Sequence, residues 1–352
     1  MESSNVTSPA ARPKASFRDL AGRYGLIVLL LLLPVIYGIN DLSEDGNLVR
    51  LGDNLVDGLS NGAIYALIAM GYTLVYGIIE LINFAHGDVF MIGTLTSVAL
   101  WGTFGLTTDT GVLLLILGLL ATLIIAMAVP AILNVMIERV AYRPLRNAPR
   151  LAPLITAVGF SFILQNVGIL WIGASNQGVP DLIGAQNELL NIAGVSISNG
   201  DVLAIAVTVP LVLFLTTFVA RTRLGKAMRA TAQDPDAARL MGINVDTTIS
   251  LTFLLGGLMA GAAGLIWALY QTSQFYFQGF TAGLIAFTAA VMGGIGNLRG
   301  AVIGGFLIGI IEQLANNRIG AQWNTAVVFA FLVLIMVFRP QGLIGEETRE
   351  AG

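Results

Sequence analysis

Apolar runs of bilayer length recur along this chain from residue 24 to residue 338, and no soluble fold accommodates that pattern. A hydrocarbon core about 30 Å thick takes roughly 20 apolar helical residues per crossing. Ten segments meet or approach this: 24–39, 54–79, 83–105, 111–137, 151–172, 200–220, 248–270, 281–297, 299–317 and 322–339. Charged residues make up 11% of the 352 positions, against about 25% in soluble domains. The expected fold is all-α: a polytopic membrane bundle of about ten helices, with eight or nine remaining open. The eighth and ninth segments share a glycine-rich junction, MGGIGNLRG at 292–300, and either is a candidate for a broken or re-entrant helix.

Residues 1–23 read as a solvated tail carrying Arg12, Lys14, Arg18 and Arg23. The run Tyr24–Ile39 has the apolar character of a signal peptide. No small-residue cleavage site follows it, and Asp41, Glu44 and Asp45 come next, so a retained anchor is expected. Residues 24–340 form the expected transmembrane domain and 341–352 a second tail. The formal net charge of −3 gives no footprint for nucleic acid, and without cysteine there are no disulfides, thiolate nucleophiles or cysteine metal sites.

Orientation follows from Lys and Arg in short loops. Ten crossings from a cytoplasmic N-terminus place Arg139, Arg143, Arg146 and Arg150 inside, together with Arg221, Arg223, Lys226, Arg229 and Arg239. Arg299, Arg339 and Arg349 fall on the same side, whereas the outer loops hold Arg50 and Arg318. Both termini are therefore expected in the cytoplasm. The longest outer loop, 173–199, contains NQGVPDLIGAQN and is expected to carry a short surface helix at Leu189–Ala193. It reads either as a lid joining two spans or as a docking face for an external partner.

Glycine is abundant inside these spans, 41 residues in all, although helix propensity disfavours it. In lipid, small residues that allow close backbone approach take over the work of helix association. Gly257-xxx-Gly261, Ala260-xxx-Gly264, Gly300-xxx-Gly304 and Gly305-xxx-Gly309 have that spacing. Gly293, Gly294, Gly296 and Gly300 interrupt an apolar run, as glycines do in the discontinuous helices of transport pathways, and are candidate hinge or gating positions.

Polar groups at membrane depth are the next clue. Glu80, Asn83, His86 and Asp88 crowd into nine positions between the second and third spans. On a helix, Asn83 would share a face with Gly87, and Phe84 with Asp88. The segment reads as an ordered turn in which Asn83 and Asp88 bond backbone, or as a gate or partner contact. One histidine and two carboxylates make a poor zinc cage, so no metal site is expected. Asn61, Tyr65, Tyr72, Thr73, Gln165, Asn166, Glu312 and Gln313 serve either as interhelical glue or as pathway lining.

No G-x-x-x-x-G-K-[ST], GxSxG or HExxH occurs, so neither ATP hydrolysis nor another enzymatic activity is expected of the chain itself, and no cofactor either. Between two apolar runs, however, lies the polar island RTRLGKAMRATAQDPDAARLMGINVD, 221–246. Asp234 is placed to cap a short helix, Pro235 to take its first position, Asp236 to suit its dipole and Gly242 to stop it. Ala237 and Ala238 are small enough for close approach. The island reads equally as a docking knob or as an amphipathic linker.

The segment Asp236-Ala237-Ala238-Arg239-Leu240-Met241-Gly242 resembles the EAAxxxG pattern by which permease subunits of ATP-binding-cassette importers seat on their ATPases, with Asp in place of Glu. NGAIYALIAMGYTLVYGIIELINFAHGDVFMIG (61–93), RATAQDPDAARLMGINVD (229–246), FTAAVMGGIGNLRGAVIGG (287–305) and FRPQGLIG (338–345) resemble the branched-chain amino acid (leucine/isoleucine/valine) permease family, in its H-type subunit. The likeness covers residues 53–344. It implies a bacterial inner-membrane importer in which a homologous M-type permease, two ATPase subunits that bind the ATP, and an extracellular binding protein are partners. Arg229, Asp234, Asp236, Ala237, Ala238 and Gly242 then take the ATPase-coupling role. Gly58, Asn61, Gly62, Tyr65, Gly71, Asn83 and His86 are candidates for the translocation pathway. The family also implies urea, short amides or other amino acids as alternative substrates. Rivals of another class are an ion-coupled secondary transporter with Glu80, His86 and Asp88 as relay, and a channel with its filter at 292–300.

Overall fold

The computed structural model describes residues 32–44, 46–146, 148–149 and 151–345. The expected N-terminal tail, the first half of the expected first span, Asp45, Arg150 and the end of the C-terminal tail lie outside the described residues.

Helix α1 covers 32–44, where the sequence suggested a run ending at residue 39. It is followed by α2 (Val49–Ile79), α3 (His86–Phe104), α4 (Val112–Ile137) with a π-helical turn at Glu138–Tyr142, and α5 (Leu151–Ile172). Next come α6 (Asn199–Arg221), α7 (Arg223–Gln233), α8 (Pro235–Leu240), α9 (Val245–Tyr270), α10 (Gln278–Gly293), α11 (Leu298–Arg318) and α12 (Asn324–Phe338). Among the described residues, seven helices are long and apolar enough to cross a membrane: α2, α4 with its π turn, α5, α6, α9, α11 and α12 with the 3-10 turn before it. Helix α3 begins with the polar His86 and Asp88. Helix α10 has 16 residues, about 24 Å at 1.5 Å per residue, short of the roughly 30 Å of hydrocarbon. The chain is thus a polytopic helical bundle, and the expected count of ten is not reproduced by length and hydropathy.

Burial separates the centre from the rim. The most apolar windows of α2 and α9 are 78% buried, whereas that of α4 is 11% and those of α6 and α12 are 17%. Peripheral helices carry their apolar side chains outward, as Leu113, Ile124 and Ile132 of α4 do, which suits lipid rather than water.

Glycine builds the centre. A Cβ added to Gly62 would lie 2.7 Å from the Phe306 Cα, and one on Gly305 would lie 2.5 Å from the Ala66 Cα, so α2 and α11 touch backbone to backbone. Helix α9 uses Gly257 against Ala131 of α4 and Gly264 against the α3 backbone at Thr94, with hypothetical Cβ contacts of 2.6 Å each. All four expected small-xxx-small pairs fall in buried helix contacts of this kind. Without a hydrophobic drive between helices in lipid, such close approach is what dispersion forces require.

One end of the bundle carries the arginine-rich segments 139–146 and 221–239. At the opposite end, β1 (Gln177–Gly178) pairs with β4 (Ser273–Gln274), and β2 (Glu188–Ile192) pairs antiparallel with β3 (Val195–Ser198). The surface helix expected at Leu189–Ala193 is therefore a hairpin strand and its turn. Ala193 and Gly194 both have positive φ, 56° and 92°, the signature of a tight two-residue hairpin turn, and the Asn191 side chain accepts from Gly194 N at 3.0 Å. Ser198 then closes a capping box with Asp201 and starts α6. At this same end Arg318 of α11 pairs with Asp41 and Glu44, fastening α1 to the bundle.

Candidate functional site

Helix α8 is short and defined at both ends by its own residues. Asp234 Oδ1 accepts from Asp236 N and Ala237 N, each at 2.9 Å, and Pro235 occupies the first turn, where a missing N–H costs nothing. Gly242 has φ +82°, and its N–H donates to Arg239 O at 3.0 Å while Ile243 N–H reaches Ala238 O at 3.0 Å. That closure needs a left-handed residue. Arg239 pairs with Asp236 at 2.7 Å on the surface. Ala238 faces inward at 4% exposure, whereas Leu240 and Met241 stand 89% and 82% exposed. Two large apolar side chains presented by the last residue of a six-residue helix and by its C-cap, next to charged neighbours, have the anatomy of a protein contact.

Arg229 sits differently from the rest of its set. Its guanidinium donates to Val219 O and to Ala220 O, the latter at 3.3 Å, and so caps the last carbonyls of α6. Thr222 accepts from Gly225 N at 3.0 Å and starts α7. The island is thus a continuous path of capped helices from α6 to α9, the last capped by Asn244, which accepts from Thr247 N at 3.0 Å.

At the start of α9, the helix that follows α8, lies a charged cluster that the sequence reading missed, having counted its arginines only as orientation signals. Arg146 donates to Glu138 Oε1 and to Asp246 Oδ1, both at 2.5 Å. Arg143 reaches Asp246 Oδ2 at 2.6 Å, and Ser250 Oγ donates to Glu138 Oε2 at 2.7 Å. Glu138 is fully buried. A cleft of about 270 Å³ opens next to this cluster, bounded by Arg139, Asn244 and Thr247 among others.

The polar residues between α2 and α3 form a turn, so the shared helix faces suggested for 83–88 do not arise. Glu80 takes a left-handed φ of 51° and ends α2, and α3 begins at His86. Asn83 accepts from Ala85 N at 3.2 Å and donates to Asn134 Oδ1 at 3.2 Å; Asn134 in turn donates to Phe253 O at 2.6 Å. Asn83 therefore joins the turn to α4 and α9. Asp88 bonds a side chain rather than backbone: Ser161 Oγ donates to it at 2.5 Å, and Gln165 donates to Ser161 at 3.1 Å. His86 is fully buried and edge-on to Tyr72 at 4.8 Å, in space that Gly71 leaves open.

The remaining pathway candidates are interior positions. The backbone of α11 fills the space in front of Gly58 and Gly62. Tyr65 is buried facing Glu312, which accepts from Asn324 at 2.6 Å. Asn61 is half-buried one residue before Gly62. Gly293 and Gly300 cross backbone against backbone, and Gly294 (φ +105°) and Gly296 (φ +93°) turn the chain from α10 into α11. The junction is covered by 341–345, expected as a tail: Leu343 N–H donates to Met292 O at 2.8 Å, Ile344 N–H to Gly293 O at 3.2 Å, and Asn297 to Ile344 O at 2.9 Å. Among the described residues, no cluster of three or more His, Asp or Glu side chains is arranged to hold a metal ion.

Comparison with known proteins places this geometry. The family model described as "Branched-chain amino acid transport system / permease component" matches residues 54–338. The high-affinity branched-chain amino acid transport system permease protein BraD of Pseudomonas aeruginosa is 41% identical over 296 residues, 83% of this chain and 94% of that protein. LivH of Escherichia coli K12, a permease protein of the same description, is 42% identical over 301 residues with the same shares. A probable LivH of Methanocaldococcus jannaschii is 26% identical over 320 residues, covering 85% and 95%. The matched residues run from the first turns of α2 to the last residue of α12, so every element described above except α1 and the 339–345 segment falls within them. The chain belongs to the family of branched-chain amino acid transport system permease components.

Proposed function

We propose that this chain is the H-type membrane subunit of an ATP-binding-cassette importer for branched-chain amino acids. Its partners are a homologous M-type permease, two ATPase subunits on the cytoplasmic face and an extracellular binding protein that delivers substrate. The observation that carries the reading is α8, which exposes Leu240 and Met241 beyond a self-capped turn in a chain that belongs to this family. The basic end of the bundle, with α8 on it, faces the cytoplasm under the positive-inside rule, and both termini lie there too.

In this scheme ATP closes the ATPase pair, α8 moves as a rigid body with it, and the spans rock between outward and inward openings. Asp234, Asp236, Ala237, Ala238 and Gly242 shape the coupling knob, and Arg229 holds α7 against the end of α6. Substrate passes residues of weak affinity, because the binding protein has already done the selecting. The candidates Gly58, Asn61, Gly62, Tyr65, Gly71, Asn83 and His86 then act from within the bundle, and Gly293, Gly294, Gly296 and Gly300 let α10 and α11 hinge. Uptake of labelled leucine against labelled urea in a strain lacking the chromosomal copy tests the reading. Leucine uptake that depends on this chain and on a co-purifying ATPase is the expected result. Urea uptake would redirect the substrate, and uptake without an ATPase would overturn the class.

A further inference from the structure

The cluster around Arg146 is built more tightly than the packing of α4 on α9 requires. Those helices already meet through glycine, with Gly257 against Ala131 and Gly261 against Met127. Yet Glu138, a fully buried carboxylate, sits at their basic end, and a buried carboxylate persists only when it is paired and hydrogen-bonded. Both of its oxygens are engaged, one by Arg146 from the α4–α5 segment and the other by Ser250 from the second turn of α9. The second arm of the same Arg146 guanidinium grips Asp246, in the first turn of α9. Arg146 is therefore a fork with one tine in the extension of α4 and the other in the start of α9. Glu138 also lies in a π-helical turn, a local widening of the helix found frequently at functional sites.

Chain position gives the fork its meaning. Asp246 lies four residues beyond Gly242, the glycine that closes the turn after α8, and the intervening Asn244 caps α9. A displacement of α8 therefore enters α9 at its first turn, where Asp246 lies. We propose that Arg146 is a positioning residue that clamps α9 to α4 at this end, so that motion of α8 carries both helices together instead of sliding α9 along its glycine track past α4. Arg143, half-exposed, only steadies Asp246, whereas Arg146 bridges the two helices. The inference rests on the ATPase-docking role of α8.

The complete importer, reconstituted in proteoliposomes with its ATPase and binding protein, gives the test. Three quantities are read: complex recovered, ATP hydrolysis stimulated by loaded binding protein, and substrate taken up per ATP. Arg146→Ala is expected to keep recovery and stimulated hydrolysis within twofold of the unsubstituted complex while uptake per ATP falls at least tenfold. Arg146→Lys, which keeps the charge but loses the fork, falls between the two. If Arg146→Ala does not accumulate because Glu138 is left uncompensated, the double variant Glu138→Gln/Arg146→Met removes both charges and is read in the same way. Uptake per ATP within twofold of normal in whichever variant assembles overturns the clamp. Gly242→Trp, which forces a bulky residue to φ +82°, is the control for the reading beneath it. If that variant also couples normally, α8 is not the docking element. If it uncouples while the Arg146 variants do not, the clamp alone is wrong.

Discussion

Replacing Asp234 with alanine leaves every membrane-spanning contact in place and removes the two hydrogen bonds that start α8, those from Asp236 N and Ala237 N at 2.9 Å. Loss of an N-cap typically costs about 1 kcal/mol, with a range of roughly 0.5–2. A helix of six residues has almost no cooperativity to absorb that loss, since isolated helices under about 12 residues are marginal in water. Ala238 is the one α8 residue buried against the bundle, so packing offsets little of it. A cost of 1–2 kcal/mol divides the ratio of formed to unformed α8 by about 5 to 30. The expected phenotype is a fall of up to that order in uptake per assembled complex and in recovery of the ATPase with the permease, at unchanged membrane abundance. Asp234→Asn should behave nearly as the parent, because asparagine caps as well as aspartate. The assay is transport normalised to complex in proteoliposomes, paired with hydrogen exchange over 234–243. Equal activity of the alanine and asparagine variants, or loss in alanine without faster exchange in α8, would refute the reasoning.

Gly305→Leu should prevent accumulation of the folded chain, since even its Cβ would stand 2.5 Å from Ala66 Cα, and overpacking of a tight contact costs about 1–3 kcal/mol or more; membrane abundance and thermal aggregation in detergent read it, and normal stability would contradict the α2–α11 packing. Gly342→Val should loosen the cover over the α10–α11 junction, because Gly342 has φ +77° and touches the Gly294 backbone. Faster hydrogen exchange at Leu343 and Ile344 with the spans unaffected is the expected reading, and unchanged exchange would show that the 341–345 cover does not depend on that glycine.

Local chemistry made part of this protein legible in its sequence, and long-range pairing hid the rest. Helix α8 could be placed because Asp234, Pro235 and Gly242 each act within a few residues of their own position. The small-xxx-small pairs were visible as packing material, though not their partners: nothing local says that Gly305 meets Ala66 while Gly257 meets Ala131. The β2–β3 hairpin was mistaken for a helix because its turn is Ala193-Gly194, and alanine is not the residue that usually announces a left-handed turn position. Asn191 supplies the bond that the usual asparagine or aspartate in the turn would have made. Asn83 was expected to bond backbone in a turn and does so, but its bond to Asn134, 51 residues away, has no sequence signal. The Glu138–Arg146–Asp246–Ser250 cluster joins residues up to 112 apart, and each looked ordinary alone. A carboxylate at the edge of an apolar run, with an arginine eight residues later, was the one hint available. The 341–345 segment read as tail because the hydrogen bonds that hold it are made by its backbone, and backbone donors and acceptors are invisible to composition.

The seating of the ATPase on α8 is tested most directly by a single cysteine at Leu240, introduced as Leu240→Cys into this cysteine-free chain. A membrane-impermeant maleimide should label it in inside-out vesicles and not in intact cells, and co-assembly with the ATPase should protect it. Labelling from the outer face, or labelling indifferent to the ATPase, would contradict the account.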